Sequence, residues 1–129
     1  MGGPPGDSAG LGFEDRHGAI TGLSLRVPVP DGSITDLVAN LREAPTVGEI
    51  CEAYRAAASS GRLAGLLEYS EDDLVSSDIV GSAASCVFDA KLTMASGNLV
   101  KVLGWYDNET GYSSRLVDLA TVVGAAVER

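Results

Sequence analysis

Two cysteines and one histidine are the residues of this 129-residue chain best suited to nucleophilic or metal chemistry: Cys51, Cys86 and His17. No pair has the C-x-x-C spacing, and three scattered residues do not make a zinc site. Cys51 falls on an apolar helical stripe, which indicates a packed core thiol. A thiolate nucleophile needs a nearby base, and His17 lies in a Gly- and Pro-rich segment. We therefore predict no metal site and no catalytic residue in the chain itself.

The overall charge is acidic, with 18 Asp and Glu against 9 Lys and Arg and a net charge of -9. Binding to nucleic-acid phosphates or to an anionic membrane surface requires clustered positive charge, and no basic run is present. The apolar stretches are far shorter than the roughly 20 residues of a membrane span, and no signal-peptide pattern is visible. These features exclude nucleic acid and membrane as expected partners and favour a cytoplasmic location. An anionic substrate stays possible, because one arginine can create a local site.

The first 18 residues differ in composition from the rest. They contain six Gly, two Pro and only two large apolar side chains, Leu11 and Phe13. Gly10 and Gly12 do not extend to a dinucleotide fingerprint, because Asp15 replaces the third glycine and no strand precedes them. We predict a flexible leader over residues 1–18 and a single domain over residues 19–129, which includes the final helix.

The elements that must position any site begin with two strands. In the first, apolar residues recur at every second position, at Leu23, Leu25, Val27 and Val29. Arg26 then points away from the apolar face. A Pro- and Gly-containing turn leads to a second strand, Ser33–Leu41, which we expect to be antiparallel to the first because the link is short. A helix follows, begun by a capping box of Thr46 and Glu49.

Three further strands and a last helix complete the order. The strands are predicted at 66–69, 86–94 and 99–106, and the third is apolar enough to be a central strand covered on both faces. The last helix is expected to start near Glu109, with a core-facing apolar stripe at Tyr112, Leu116, Leu119, Val123 and Ala126. The class is therefore α+β, with a mixed, mainly antiparallel sheet and two helices.

Several segments resemble one enzyme family in order and spacing. They include RVPVP at 26–30, VSSD at 75–78, SCVFDA at 85–90 and WYDNETGYS at 105–113. Over about residues 18–127 the chain is similar to the C-terminal part of the catalytic domain of phosphorylating, bacterial-type glyceraldehyde-3-phosphate dehydrogenases. The resemblance implies a partial fold of that catalytic domain.

The resemblance also implies roles for three residues. Arg26 matches an arginine that holds the substrate's phosphate, whereas the sequence alone favours a surface arginine in a weak ion pair. Asn108 matches an asparagine that binds the nicotinamide carboxamide of NAD, and Tyr112 matches a tyrosine beside that ring. Asn108 is alternatively the cap of the last helix, and Tyr112 a core residue of that helix. Thr110 departs from the large aromatic that the family often has there.

The implied activity is the NAD-dependent oxidative phosphorylation of glyceraldehyde 3-phosphate to 1,3-bisphosphoglycerate in glycolysis. The family's nucleophilic cysteine, its histidine and its Rossmann domain lie upstream of the RVP strand, and nothing here resembles them. We therefore expect the chain alone to lack turnover and not to bind NAD. The expected partners are a phosphorylated small-molecule substrate and full-length dehydrogenase subunits, or a second copy of the chain. The alternatives are a non-catalytic binding or oligomerisation module and a relic gene fragment.

Overall fold

A computed structural model describes residues 20–127, which form a four-stranded sheet and three α-helices within that range. The strands and helices, in chain order, are β1 Ser33–Asn40, α1 Val47–Ser59, β2 Leu67–Ser70, α2 Ser76–Ile79, β3 Cys86–Ser96, β4 Leu99–Tyr106 and α3 Asn108–Val127. The predicted leader, residues 1–18, lies outside the described residues. The four-residue helix α2 was not predicted from the sequence.

The sheet has the order β1-β4-β3-β2. The β1–β4 and β3–β4 pairs are antiparallel, and β2 pairs in parallel with β3. The predicted class, α+β with a mixed and mainly antiparallel sheet, is thus confirmed. β4 lies in the interior of the sheet, as its apolar sequence predicted.

Helix α1 covers one face of the sheet. Its buried Ile50 belongs to a core with Leu67, Phe88 and Val100, one residue from each of three strands. Tyr54 of the same helix stacks on Phe88, with ring centroids 3.9 Å apart. The predicted capping box is present: Thr46 Oγ1 accepts the Glu49 N–H at 3.2 Å, and Glu49 accepts the Thr46 N–H at 2.8 Å. The hydrogen bonds that the Glu49 carboxylate accepts from the Thr46 backbone N–H and hydroxyl lower the pKa of Glu49.

Within residues 20–127, the opposite face is covered only at one end. There, Ile79, Ala84 and Val87 form a second buried cluster, against which Trp105 packs. Farther along this face, side chains remain open to solvent: Val38 is 55% exposed and Met94 57%. The expectation that β4 is covered on both faces is therefore met only in part: Leu99 at one end of the strand is 48% exposed, whereas Trp105 near the other end packs against the second cluster.

The first predicted strand does not form. Residues 20–32 contain no strand, and Leu23 and Leu25 are 78% and 81% exposed. A strand needs a neighbour for its backbone N–H and C=O groups, and β1 pairs with β4 instead of with this segment. The period-two alternation therefore does not produce a strand, because within residues 20–127 no strand lies beside this segment.

The apolar stripe of α3 is not a core surface within the described residues. Tyr112, Leu116, Leu119 and Val123 are between 48% and 65% exposed. Helical periodicity identifies an apolar face without showing what covers it. In α3 only Gly111 is buried, so the helix is attached to the domain through its first turns.

Candidate functional site

One face of α3 borders a shallow cleft of about 210 Å³. Four of its residues, Asn108, Gly111, Tyr112 and Arg115, follow the i, i+3, i+4, i+7 spacing that places side chains on one side of a helix. The other lining residues are Ser85, Tyr106 and Asp107. The cleft therefore lies between the start of α3, the end of β4 and the loop that precedes β3.

Asp107 connects the start of α3 to that loop. It is 2% exposed. Its Oδ1 accepts the N–H of Thr110 at 2.7 Å, which makes it the N-cap of α3. Its Oδ2 accepts the N–H of Gly81 at 2.8 Å. The two backbone hydrogen bonds, from Thr110 and then Gly81, lower the pKa of Asp107. The carboxylate is therefore held in its charged form by the groups it joins.

Arg115 makes a second connection between α3 and the loop before β3. Its Nη1 donates to Ser85 Oγ at 2.9 Å and to the carbonyl oxygen of Ala83 at 3.4 Å. Its Nη2 lies 2.9 Å from a carboxylate oxygen of Asp118, one turn farther along the helix. The guanidinium at the wall of the cleft is therefore occupied by groups of the chain itself.

Two of the three predicted site residues line this cleft. Asn108 is exposed, and its side chain makes no hydrogen bond to any residue in the described range. The helix cap is Asp107, so capping does not occupy the Asn108 amide as the alternative interpretation required. Tyr112 is 65% exposed beside it, and its alternative role as a core residue is not realised here. The roles of both residues in cofactor binding stay predictions.

Arg26 lies apart from the lining residues. It is exposed in the irregular segment before β1 and forms no ion pair with another described residue. A guanidinium in this setting is open to a phosphate. Its role as a phosphate ligand likewise stays a prediction.

Both cysteines belong to the α1 side of the sheet. Cys51 and Cys86 are free thiols that pack against the Ile50 core. Burial raises the pKa of Cys86, which opposes formation of the thiolate. The sequence-based interpretation of Cys51 as a packed thiol is thus confirmed, and Cys86 has the surroundings of a structural residue.

Three carboxylates lie close together near the cleft. Oxygens of Asp31, Asp107 and Glu109 are within 4.8 Å of one another. Each oxygen of Asp107 already accepts a backbone N–H, and Asp31 accepts the N–H of Gly32 at 2.6 Å. The carboxylate oxygens of Asp31 and Asp107 that could bind a metal ion therefore already accept backbone hydrogen bonds. We assign no metal site to this group.

Sequence reasoning missed the residues that hold this cleft together. Asp107 could have been found, because an Asp immediately before the first residue of a helix is an N-cap pattern. Arg115 and Ser85 are 30 residues apart in the chain. No local signal links them, so only the fold brings them into contact.

Comparison with known proteins gives a single family. Residues 9–108 match the family model described as glyceraldehyde 3-phosphate dehydrogenase, C-terminal domain. The match begins inside the segment predicted as a leader. No helix in the described range is long and apolar enough to cross a membrane.

Curated relatives agree with that match. The chain is 56% identical over 118 residues to glyceraldehyde-3-phosphate dehydrogenase 2 of Streptomyces arenae, covering 92% of this chain and 35% of the relative. It is 56% identical over 108 residues to the Streptomyces coelicolor glyceraldehyde-3-phosphate dehydrogenase, covering 83% of this chain and 32% of the relative. It is 48% identical over 118 residues to the Mycobacterium avium glyceraldehyde-3-phosphate dehydrogenase, covering 92% of this chain and 34% of the relative. The chain thus spans about a third of the length of these relatives.

Proposed function

The chain belongs to the glyceraldehyde 3-phosphate dehydrogenase family through the C-terminal domain, and on that premise we propose that it supplies part of the catalytic domain of such an enzyme. The reaction is the NAD-dependent oxidation and phosphorylation of glyceraldehyde 3-phosphate to 1,3-bisphosphoglycerate, in the glycolysis of the cytoplasm. The observation that carries the proposal is the Asn108–Tyr112 cleft in a chain of this family.

The cleft suits the nicotinamide end of NAD and no more of that molecule. An exposed amide without an internal partner among the described residues offers both an N–H donor group and a carbonyl acceptor, which is what a carboxamide needs. Tyr112 beside it presents an exposed ring to the same space. When bound, NAD accepts the hydride. Asn108 fixes the orientation of the ring, and Tyr112 limits the space around it.

Arg26 is the proposed contact for the substrate's phosphate. A guanidinium matches phosphate in charge and hydrogen-bonding geometry, and this one is not committed to an ion pair among the described residues. Its segment alternates apolar and polar residues without a neighbouring strand. We propose that the segment becomes ordered as a strand when a partner supplies that neighbour.

Turnover requires residues that residues 20–127 do not provide. The two thiols in that range lie against the core, and burial raises the pKa of Cys86. The nucleophile, its base and the main NAD-binding surface must come from another part of the enzyme. The chain acts catalytically only together with such a complementing half.

Two exposed apolar surfaces support the proposed partners. The face of the sheet opposite α1 exposes Val38, Met94 and Leu99, each by 48% or more. The stripe of α3 exposes Leu116, Leu119 and Val123 by similar fractions. Apolar surfaces of this kind mark protein–protein contacts. We assign the sheet face to a like subunit or a second copy, and the α3 stripe to the complementing half.

The test is an assay of the purified chain with glyceraldehyde 3-phosphate, NAD and inorganic phosphate, followed by NADH absorbance. We expect no turnover from the chain alone. Mixing it with the N-terminal two-thirds of the Streptomyces arenae relative should restore turnover, and Asn108→Ala should raise the KM for NAD in the mixture. Asn40→Ala is the matched control, because Asn40 is an exposed amide on β1, away from the cleft.

The second candidate is a non-catalytic binding or oligomerisation module, which the same exposed surfaces favour. Native mass spectrometry of the mixture separates the two. A stable complex without turnover would replace the enzyme proposal with the module. If the mixture shows no complex and no turnover, the interpretation of the chain as a relic gene fragment remains. A cysteine-dependent rate from the chain alone would overturn the proposed need for a complementing half.

A further inference from the structure

Gly111 lies where α3 touches the loop before β3. It is the buried residue of α3, and a β-carbon built on it would lie 2.9 Å from the carbonyl oxygen of Ala84. Real β-carbons do not approach a backbone oxygen so closely, and a carbonyl cannot move aside as the end of a side chain can. Glycine is otherwise unfavourable inside a helix, because it loses more backbone freedom than other residues. Its presence here therefore has a packing reason.

The same loop is held by α3 at two further points. Asp107 accepts the N–H of Gly81, and Arg115 donates to Ser85. Gly111 lies between them in sequence, and Ala84 lies between their partners in the loop. We call these three contacts the α3–loop contacts. A displacement at the middle contact must change the outer two.

Two residues that line the cleft, Asn108 and Tyr112, lie in the helical turn that contains Gly111. Asn108 is three residues before Gly111 and Tyr112 directly follows it. Because a helical turn moves as a unit, the distance between Gly111 and Ala84 fixes where both side chains stand relative to Ser85. A shift of a few tenths of an ångström there is comparable with the tolerance of a binding site.

We propose that the missing side chain at Gly111 sets the position of the first turn of α3, so that Gly111 is a positioning residue for Asn108 and Tyr112. The inference that the positioned amide meets a carboxamide rests on the function proposed above. The contact between Gly111 and Ala84 and its effect on the position of α3 do not depend on that function.

The experiment compares Gly111→Ala with Gly124→Ala by amide hydrogen exchange and NMR on the full chain. Gly124 lies in the same helix with no atom within 4 Å of an added β-carbon, which makes it the matched control. In Gly111→Ala, protection of the Gly81 and Thr110 amides should fall about tenfold, and the Asn108 side-chain resonances should move. Gly124→Ala should change neither. Unchanged protection and unchanged Asn108 resonances in Gly111→Ala would overturn the proposal.

A second variant covers the case in which Gly111→Ala fails to fold. Arg115→Gln weakens an outer contact without adding an atom near Ala84. It should also lower protection at Gly81 and Thr110 while the Ile50 amide in α1 stays protected. If the exchange of the Gly81 and Thr110 amides does not respond to Arg115→Gln, the proposal is overturned.

The complemented enzyme separates the positioning role from the cofactor role. If Gly111→Ala lowers the protection of Gly81 and Thr110, and both Gly111→Ala and Asn108→Ala raise the KM for NAD of the mixture, both proposals are supported. If exchange responds to Gly111→Ala but Asn108→Ala leaves the KM for NAD unchanged, the positioning role is supported and the cofactor role of Asn108 fails.

Discussion

The indole Nε1–H of Trp105 donates a hydrogen bond of 2.9 Å to Oδ2 of Asp89, joining β4 to β3. Asp89 is 2% exposed, and its other oxygen accepts the N–H of Leu92 at 3.1 Å. These bonds lie where the β3–β4 register shifts, between Asp89 and Met94. The carboxylate therefore satisfies an indole and a backbone donor beside the irregular stretch of β3.

Removing the Asp89 carboxylate should lower the stability of the fold. Asp89→Ala leaves the partly buried Trp105 donor and the Leu92 N–H without partners, so we expect the free energy of unfolding to fall by about 2–3 kcal/mol. Urea unfolding followed by circular dichroism measures it. Asp36→Ala is the control, because Asp36 pairs with Lys101 at an exposed site and should cost under about 1 kcal/mol. Equal losses in the two variants would contradict the role given to Asp89.

The pH dependence of stability should depend on Asp107. The pKa of its carboxyl is lowered below the usual 3.8, so the folded state favours the charged form. The resulting stability is fully present above pH 3.8 and is lost as the pH falls through the lower folded-state value. Asp107→Asn should therefore reduce the melting temperature at neutral pH, by roughly 5 °C.

The difference between the unaltered chain and Asp107→Asn should shrink as the pH is lowered below 3.8. Thermal unfolding at a series of pH values measures it. Asp72→Asn is the control, since Asp72 is an exposed loop residue. A difference between Asp107→Asn and the unaltered chain that stays constant down to low pH would show that the charge of Asp107 is unimportant.

The sequence predicted those elements whose signals are local. The Thr46–Glu49 capping box and the α1 stripe both depend on spacings within one helix, and both are confirmed. The interior position of β4 followed from its continuous apolar sequence. Each of these signals lies within a dozen residues, so no knowledge of distant contacts was needed.

The failures all concern partners that periodicity does not specify. The alternation at 23–29 predicted a strand, but a strand forms only beside another strand, and within the described residues none lies there. In the cleft, Asn108 and Tyr112 were found through motif resemblance. The need for glycine at position 111 depends on Ala84, 27 residues earlier in the chain, and was not visible from the sequence.

Arg26 should matter for phosphate binding and not for folding. Because it is exposed and outside any regular element, Arg26→Ala should change the free energy of unfolding of the chain by no more than about 0.5 kcal/mol. In the complemented enzyme the same substitution should raise the KM for glyceraldehyde 3-phosphate. Arg42→Ala, another exposed arginine, is the control for general charge effects. A KM that Arg26→Ala leaves unchanged would remove Arg26 from the proposed site.

The exposed sheet face should mediate self-association of the chain. Val38 and Met94 both pair with Lys101, so the three side chains form one row across β1, β4 and β3 on the face opposite α1. Val38→Glu places a charge in this row next to Lys101, a cross-strand pairing that the sheet tolerates. Burying that face against a second copy then requires burying the charge, so association should weaken at least about tenfold. Sedimentation velocity over a range of concentrations measures it.

The control for this test is Val117→Glu, which places the same charge on the exposed side of α3. If the sheet face is the contact between copies, Val117→Glu should leave their association unchanged. Dissociation by Val117→Glu with no effect of Val38→Glu would instead assign self-association to α3. Because Val117 lies outside the α3 stripe of Leu116, Leu119 and Val123, that outcome would still leave the stripe available to the complementing half.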